Sequence, residues 1–211
     1  LIFSDARAAG PVIAAALKMS RGEAVRVLAG AVKFGEAAQP ALIAGLTSSK
    51  AYLRHGCALA LALARTDEAI QAVIALLLSE PTELWHEIAR ATGRIGTAAL
   101  VWLVREVSDP RPGSDERIAS ALAHVAAHGG APAVTAMAAA DSIVAPIAAK
   151  ALELLALETA RGAEPDAAGA RAERDLSVNH AFSRQFFEAL DGAREDSDTG
   201  SAPHAPVAAE S

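Results

Sequence analysis

Apolar positions in this chain recur at helical spacing in short blocks, and the blocks themselves recur. Val25-Arg26, Leu53-Arg54, Trp85-His86, Glu116-Arg117 and Ala145-Pro146 mark one register, and a small residue follows each: Ala29, Cys57, Ala89, Ser120, Ala149. A period of about thirty residues, with no strand-type alternation, predicts stacked helix pairs rather than one closed globular core. The first pair is expected over Gly10 to Met19 and Gly22 to Phe34, the second over Ala37 to Leu46 and Lys50 to Ala64. The third covers Glu68 to Leu78 and Thr82 to Ile95, the fourth Ala98 to Val107 and Asp115 to Ala127, the fifth Ala131 to Ala140 and Asp141 to Glu158. Stop and start signals separate them: Gly35, Ser48-Ser49, Pro81-Thr82-Glu83, Gly96, the turn from Ser108 to Gly113, and His128-Gly129-Gly130. Pro146 falls early enough in its helix to be tolerated there, because first-turn amides have no intrahelical acceptor.

Composition supports the same class. The 211 residues are 52% hydrophobic but only 4% aromatic, so small aliphatic side chains must fill the core. Alanine, the best helix former, dominates. The longest apolar runs, such as Ala72 to Leu78, fall far short of the roughly 18 residues a bilayer span needs, so no membrane insertion is expected. No basic segment followed by an apolar stretch opens the chain, and the expected location is cytoplasmic. The first repeat begins almost at Leu1, which favours a region of a longer polypeptide or an N-terminus packed on something else. A single cysteine cannot form an internal disulfide, and Cys57 sits in the small-residue slot, where a buried structural thiol is expected rather than a nucleophile.

The segments AVRVLAGAV, YLRHGCALALA, LWHEIARATGRIG, DERIASALAHV and APIAAKALELL resemble the second helices of the HEAT-repeat family, and more narrowly the bacterial HEAT-like repeats of phycobilisome lyases. The resemblance spans roughly residues 10 to 159. It implies an all-α chain, an α-solenoid of about five HEAT-like helix pairs over residues 1–160, in which second helices line the concave face. The pattern's arginine is replaced by His86 in the third repeat and Pro146 in the fifth, so an arginine ladder between repeats would be interrupted there.

After Glu158 the character changes. Thr159 to Arg174 and Ala193 to Ser211 are poor in large apolar residues and read as linker or disorder, making 161–211 a flexible tail. Between them a helix is expected over 177–190, placing Phe182, Phe186, Phe187 and Leu190 on an amphipathic surface. Alone it would be marginal. Two uses fit: a cap folded back on the last repeat, or a docking helix for another protein. The tail is also where the charge lies, with ten acidic and five basic residues from 161 onward against 14 basic and 15 acidic before it. A nearly neutral repeat body without interleaved aromatics and arginines argues against nucleic acid; Arg90, Arg94 and Arg117 read as surface or inter-repeat residues.

Trp85-His86-Glu87 resembles the His-Glu repeats of deoxyhypusine hydroxylases, which are HEAT-like and hold two iron ions. Such a site needs several imidazole and carboxylate ligands, whereas the matching positions here read Arg54-His55, Arg117-Ile118 and Pro146-Ile147. No metal, cofactor or catalytic residue is therefore expected. His124 and His128, four apart, lack a third ligand nearby in sequence.

Large aromatics are scarce enough to stand out as recognition candidates. Tyr52, His55, Trp85, His86 and Arg90 fall on second helices and would form one concave patch, although Trp85 equally fits a plug between repeats. Trp102, inside a dense apolar run, reads as core. The expected function is a non-enzymatic protein-interaction or scaffolding module that binds a partner protein on its concave face, through Phe182, Phe186, Phe187 and Leu190, or both. The alternative is a HEAT-like enzyme or enzyme subunit, bilin lyase-like or hydroxylase-like.

Overall fold

The computed structural model of the protein describes residues 9–16, 18–108, 113–163 and 181–192, with the side chains of 161–163 excepted. The described residues are helices and the turns between them, with no strand among them. In chain order they form α1 (Ala9–Ala16), α2 (Arg21–Ala31), α3 (Gln39–Gly45), α4 (Ala51–Ala64), α5 (Asp67–Ser79), α6 (Leu84–Ile95), α7 (Leu100–Val107), α8 (Ser114–Val125), α9 (Ala131–Ala139) and α10 (Ala145–Ala163). A further helix, α11, covers 181–192. The expected linkers lie mostly outside the described residues, as do residues 177–180 of the expected tail helix.

Each helix predicted before the tail overlies one of these, and the differences have local causes. α2 stops at Ala31, and tight 3-10 turns carry the chain over Val32–Ala38, where Gly35 has φ 53°. That positive φ lies in a region costly for residues with a Cβ. α3 starts at Gln39 with Pro40 in its first turn, where the missing amide costs nothing. α6 begins at Leu84, where the Thr82 hydroxyl donates to Glu80 Oε1 at 2.6 Å and accepts from the Leu84 amide at 3.4 Å. α10 begins at Ala145 rather than Asp141, with Pro146 in the first turn, and runs on to Ala163, past the expected end at Glu158. α8 gives way to a widened turn over Ala126–Gly130, with Gly129 at φ 96°.

The helices pack with a regular offset. α2 lies against α4, α4 against α6, α6 against α8 and α8 against α10; α1 lies against α3, α3 against α5 and α5 against α7. Small residues let these axes approach. A Cβ on Gly93 of α6 would lie 2.5 Å from His124 Cβ and 2.8 Å from its carbonyl carbon on α8, so only glycine permits this spacing. The small-residue slot is occupied as expected in three repeats, where Ala29, Cys57 and Ala89 are fully buried. In the fourth and fifth it moves back by one residue: Ala119 and Ala148 are buried, while Ser120 is half-buried and Ala149 exposed. The face that α8 and α10 bury is thus turned by one residue relative to that of α2, α4 and α6.

Two repeat arginines act between elements. Arg54 donates from Nε and Nη2 to the two oxygens of Glu80, each at 2.8 Å, and from Nη1 to the Ser48 carbonyl, joining α4 to the end of α5. Arg117 Nη1 donates to the Leu77 carbonyl at 2.8 Å, joining α8 to α5. Arg26, in the same motif, is exposed. Among the described residues no helix is long and apolar enough to cross a membrane.

Candidate functional site

The chemistry-bearing side chains gather where α11 crosses α4 and α6. On α11, Phe182, Phe186 and Leu190 are spaced by one helical turn or a little more and are all buried, the i, i+4, i+8 stripe of an amphipathic helix. α11 does not cap the last helix pair. It lies on second helices of the first three pairs, within contact of α2, α4 and α6.

Phe182 enters the tightest part of the seat. Its ring centroid is 5.2 Å from that of His55 and 6.4 Å from that of Tyr52, and the Arg21 guanidinium sits 5.3 Å above it. Gly56 makes the space: a Cβ there would lie 2.6 Å from Leu28 Cδ1 and 3.2 Å from Phe182 Cζ. Tyr52 is held by its hydroxyl, which donates to the Met19 carbonyl at 3.0 Å. Further along α11, Phe186 packs edge-on against Phe187 at 5.4 Å, and half-buried Phe187 is covered by the Arg94 guanidinium at 3.7 Å. Burial, with Arg90 nearby, holds the Arg94 pKa below its usual value, and a ring face is a suitable partner for a partly desolvated guanidinium.

Inside this apolar frame lies a buried polar chain. Ser183 Oγ is 3.1 Å from His55 Nε2 and 3.3 Å from Glu87 Oε2, and Glu87 Oε1 accepts from Arg90 Nη1. His55 and Glu87 are 0% and 1% exposed. Burial first, then the charges of Arg21 and Arg90, lower the His55 pKa to about 3, so the ring is neutral at physiological pH. A carboxylate only accepts, so the Ser183 hydroxyl donates to Glu87 and takes its own hydrogen bond from a His55 Nε2–H. That assignment, reached from the hydrogen-bond pattern, leaves His55 Nδ1 as a bare acceptor with no partner.

Serine, histidine and glutamate in one cluster invite comparison with a nucleophile triad, but the polarity is reversed. In a triad the imidazole accepts the serine proton at one nitrogen while the acid holds the other. Here the acid contacts the serine, Nδ1 has no partner, and all three groups are shielded from solvent. In this arrangement the imidazole donates to the Ser183 oxygen instead of accepting its proton.

Of the residues singled out from sequence, Tyr52, His55, Arg90, Phe182, Phe186, Phe187 and Leu190 thus meet around α11. Trp85 and His86 stack on one another with centroids 3.6 Å apart; Arg117 lies 5.6 Å over the Trp85 ring and His86 Nε2 is 3.2 Å from the Glu83 carboxylate. Trp102 is half-buried beneath Arg105 at 4.5 Å. Burial, Arg90 and the two neighbouring histidines lower the His124 pKa to about 4, and His128 Nδ1 meets the His124 carbonyl at 2.8 Å. Cys57 is buried, and its thiol pKa is pushed up to about 12 by that burial. Among the described residues no group of three or more His, Cys, Asp or Glu is placed to hold a metal ion. Gly56 and Ser183 escaped the sequence reading, since a helical glycine and a lone serine carry no signal until the helix opposite is known.

No family model matches the chain, and no curated protein or solved structure is significantly similar to it.

Proposed function

We propose that the protein is a HEAT-like α-solenoid that serves as a non-enzymatic interaction module, with the face formed by α2, α4 and α6 as its binding surface. The regular offset of helix contacts and the thirty-residue sequence period support the solenoid reading. The observation that carries the functional reading is the burial of Phe182, Phe186 and Leu190 against that face. A surface that seats an amphipathic helix of its own chain, joined to α10 through residues 164–180, has the shape and chemistry to seat another. α11 then acts as a tethered occupant that a partner must displace.

The test is affinity capture from source-cell extract with the full chain and with a Phe182→Asp/Phe186→Asp variant, followed by elution with a peptide of residues 177–192. A protein retained by the variant, weakly retained by the wild type and released by the peptide places recognition on this face. If neither form retains a protein that the peptide releases, the reading fails.

A further inference from the structure

Resting on the proposed helix-binding face, we infer a specific ligand for it: an amphipathic helix bearing the pattern Phe-Ser-x-x-Phe-x-x-x-Leu with acidic residues toward its C-terminus, whose hydroxyl is read by the buried His55–Glu87 pair. α11 is the resident copy of that ligand.

Three features of the face point to this chemistry. The first is a slot for one aromatic ring, made where Gly56 and Leu28 leave room and where Tyr52, His55 and Arg21 border Phe182. A β-carbon at position 56 would intrude on it. The second is polar. An apolar groove has no need of a neutral imidazole and a carboxylate at its floor, yet His55 Nε2 and Glu87 Oε2 converge on the Ser183 oxygen at 3.1 and 3.3 Å. His55 offers a donor and Glu87 an acceptor, so the matching group must both accept and donate on one atom, which a hydroxyl does and a methyl does not. A helix with alanine or valine there would leave the His55 Nε2–H without its acceptor and Glu87 with Arg90 as its hydrogen-bond donor but no donor to Oε2, the costly case for specificity.

The third feature is charge. Arg90 and Arg94 of α6 line a cleft of about 580 Å³ that runs beside α11, and on the α11 side the charged lining is Glu188, Asp191 and Arg184, the last 3.8 Å from Glu188, so that the helix presents a net acidic edge to the two α6 arginines. Arg94 also covers Phe187. A helix with acidic residues two and five positions after its second aromatic, as Glu188 and Asp191 follow Phe186, complements this rim; a basic helix in the same pose would face two arginines.

The experiment uses the full chain carrying Phe186→Asp, which removes α11 from the seat, and a fluorescent peptide of residues 177–192 read by anisotropy. The peptide is expected to bind this chain, and to bind the wild-type chain at least 100-fold more weakly, because the tethered α11 competes at high effective concentration. A peptide with Ser183→Ala is expected to bind the emptied chain 5- to 10-fold more weakly, as loss of a buried hydrogen-bonding group predicts, on the order of tenfold. Replacing Glu188 and Asp191 by lysine is expected to weaken it and to reverse its salt dependence, because salt then screens repulsion from the α6 arginines. If the Ser and Ala peptides bind equally, the hydroxyl-reading inference is overturned while the helix-binding face stands. If no peptide binds an emptied chain that keeps its helical circular dichroism, both fall. Should Phe186→Asp not fold, Ser183→Ala in the full chain decides by hydrogen exchange: amides of 181–192 are expected to exchange 5- to 10-fold faster with those of α7–α9 unchanged, and equal rates overturn the inference.

Discussion

Phe182 packs directly over Gly56, so closely that the smallest side chain at position 56 would come within 3.2 Å of the ring. The pair joins residues far apart in sequence and sets how deeply α11 sits. Replacing Gly56 by alanine has opposed effects. Alanine favours the helix by about 1 kcal/mol, while the new methyl collides with Leu28 Cδ1, a fully buried side chain, and overpacking of this kind costs about 1–3 kcal/mol. Gly56→Ala is expected to loosen α11, seen as faster amide exchange over 181–192, while the melting temperature changes little. Gly93→Ala meets backbone as well as Cβ on α8, which cannot rotate aside. It is expected to lower the melting temperature by several degrees, since about 1 kcal/mol corresponds to roughly 2–4 °C at this chain length.

Phe182→Ala tests whether α11 is a separable layer. Truncating a buried phenylalanine costs about 3–5 kcal/mol when the site cannot collapse, but the loss here is capped by the docking free energy of α11. The expected outcome is loss of exchange protection confined to 181–192, with the unfolding transition of the helix pairs retained. A single cooperative shift of the whole transition would show that α11 belongs to the core.

The buried histidines make stability sensitive to mild acid. His55 and His124 have folded pKa values lowered from 6.5 to about 3 and about 4, so below pH 6.5 the unfolded chain binds protons that the folded chain refuses. Stability contributed by keeping them neutral is complete above pH 6.5 and falls as pH drops toward 4, at up to about 1.4 kcal/mol per pH unit for each fully titrating histidine. Urea midpoints measured at pH 7.5 and 5 are expected to differ clearly in the wild type. The difference should shrink in His55→Gln and again in His55→Gln/His124→Gln.

Glu80 carries a different acid dependence. Burial raises its pKa, but hydrogen bonds from Arg54 and Thr82 and the Arg54 charge outweigh burial, and the net pKa lies below the ordinary 4.5. Its contribution is present above that value and is lost as pH falls through the folded pKa. At pH 7, Glu80→Ala removes a two-oxygen partner from Arg54 and also frees Thr82. Equilibrium unfolding is expected to show a loss of about 1–3 kcal/mol, the range for a charge-assisted hydrogen bond, with Arg54→Ala costing a similar amount and the double variant less than their sum.

Cys57 gives a direct probe of native burial. With its thiol pushed to about 12 and no exposed surface, it is expected to be inert to a thiol reagent at pH 8 in the folded chain and to react stoichiometrically in denaturant.

Helix class and helix placement were legible along the chain because both rest on local physics. Alanine-rich segments with apolar residues at helical spacing fold as helices wherever they are, and Gly35, Pro40, Pro146 and Gly129 punctuate them through backbone constraints carried by those residues themselves. The amphipathic stripe of Phe182, Phe186 and Leu190 was equally local. Its partner was not. Whether that stripe covers the last pair, another molecule or the α4–α6 face depends on surfaces far away in sequence, His55 lying 128 and Glu87 96 residues from Ser183. Only the tertiary arrangement brought Ser183 between His55 and Glu87, and only it gave Gly56 a reason to lack a side chain. Likewise, the buried slot moved from Ser120 to Ala119 and from Ala149 to Ala148 because burial depends on which face of a helix meets its neighbour, and successive residues point about 100° apart around the axis.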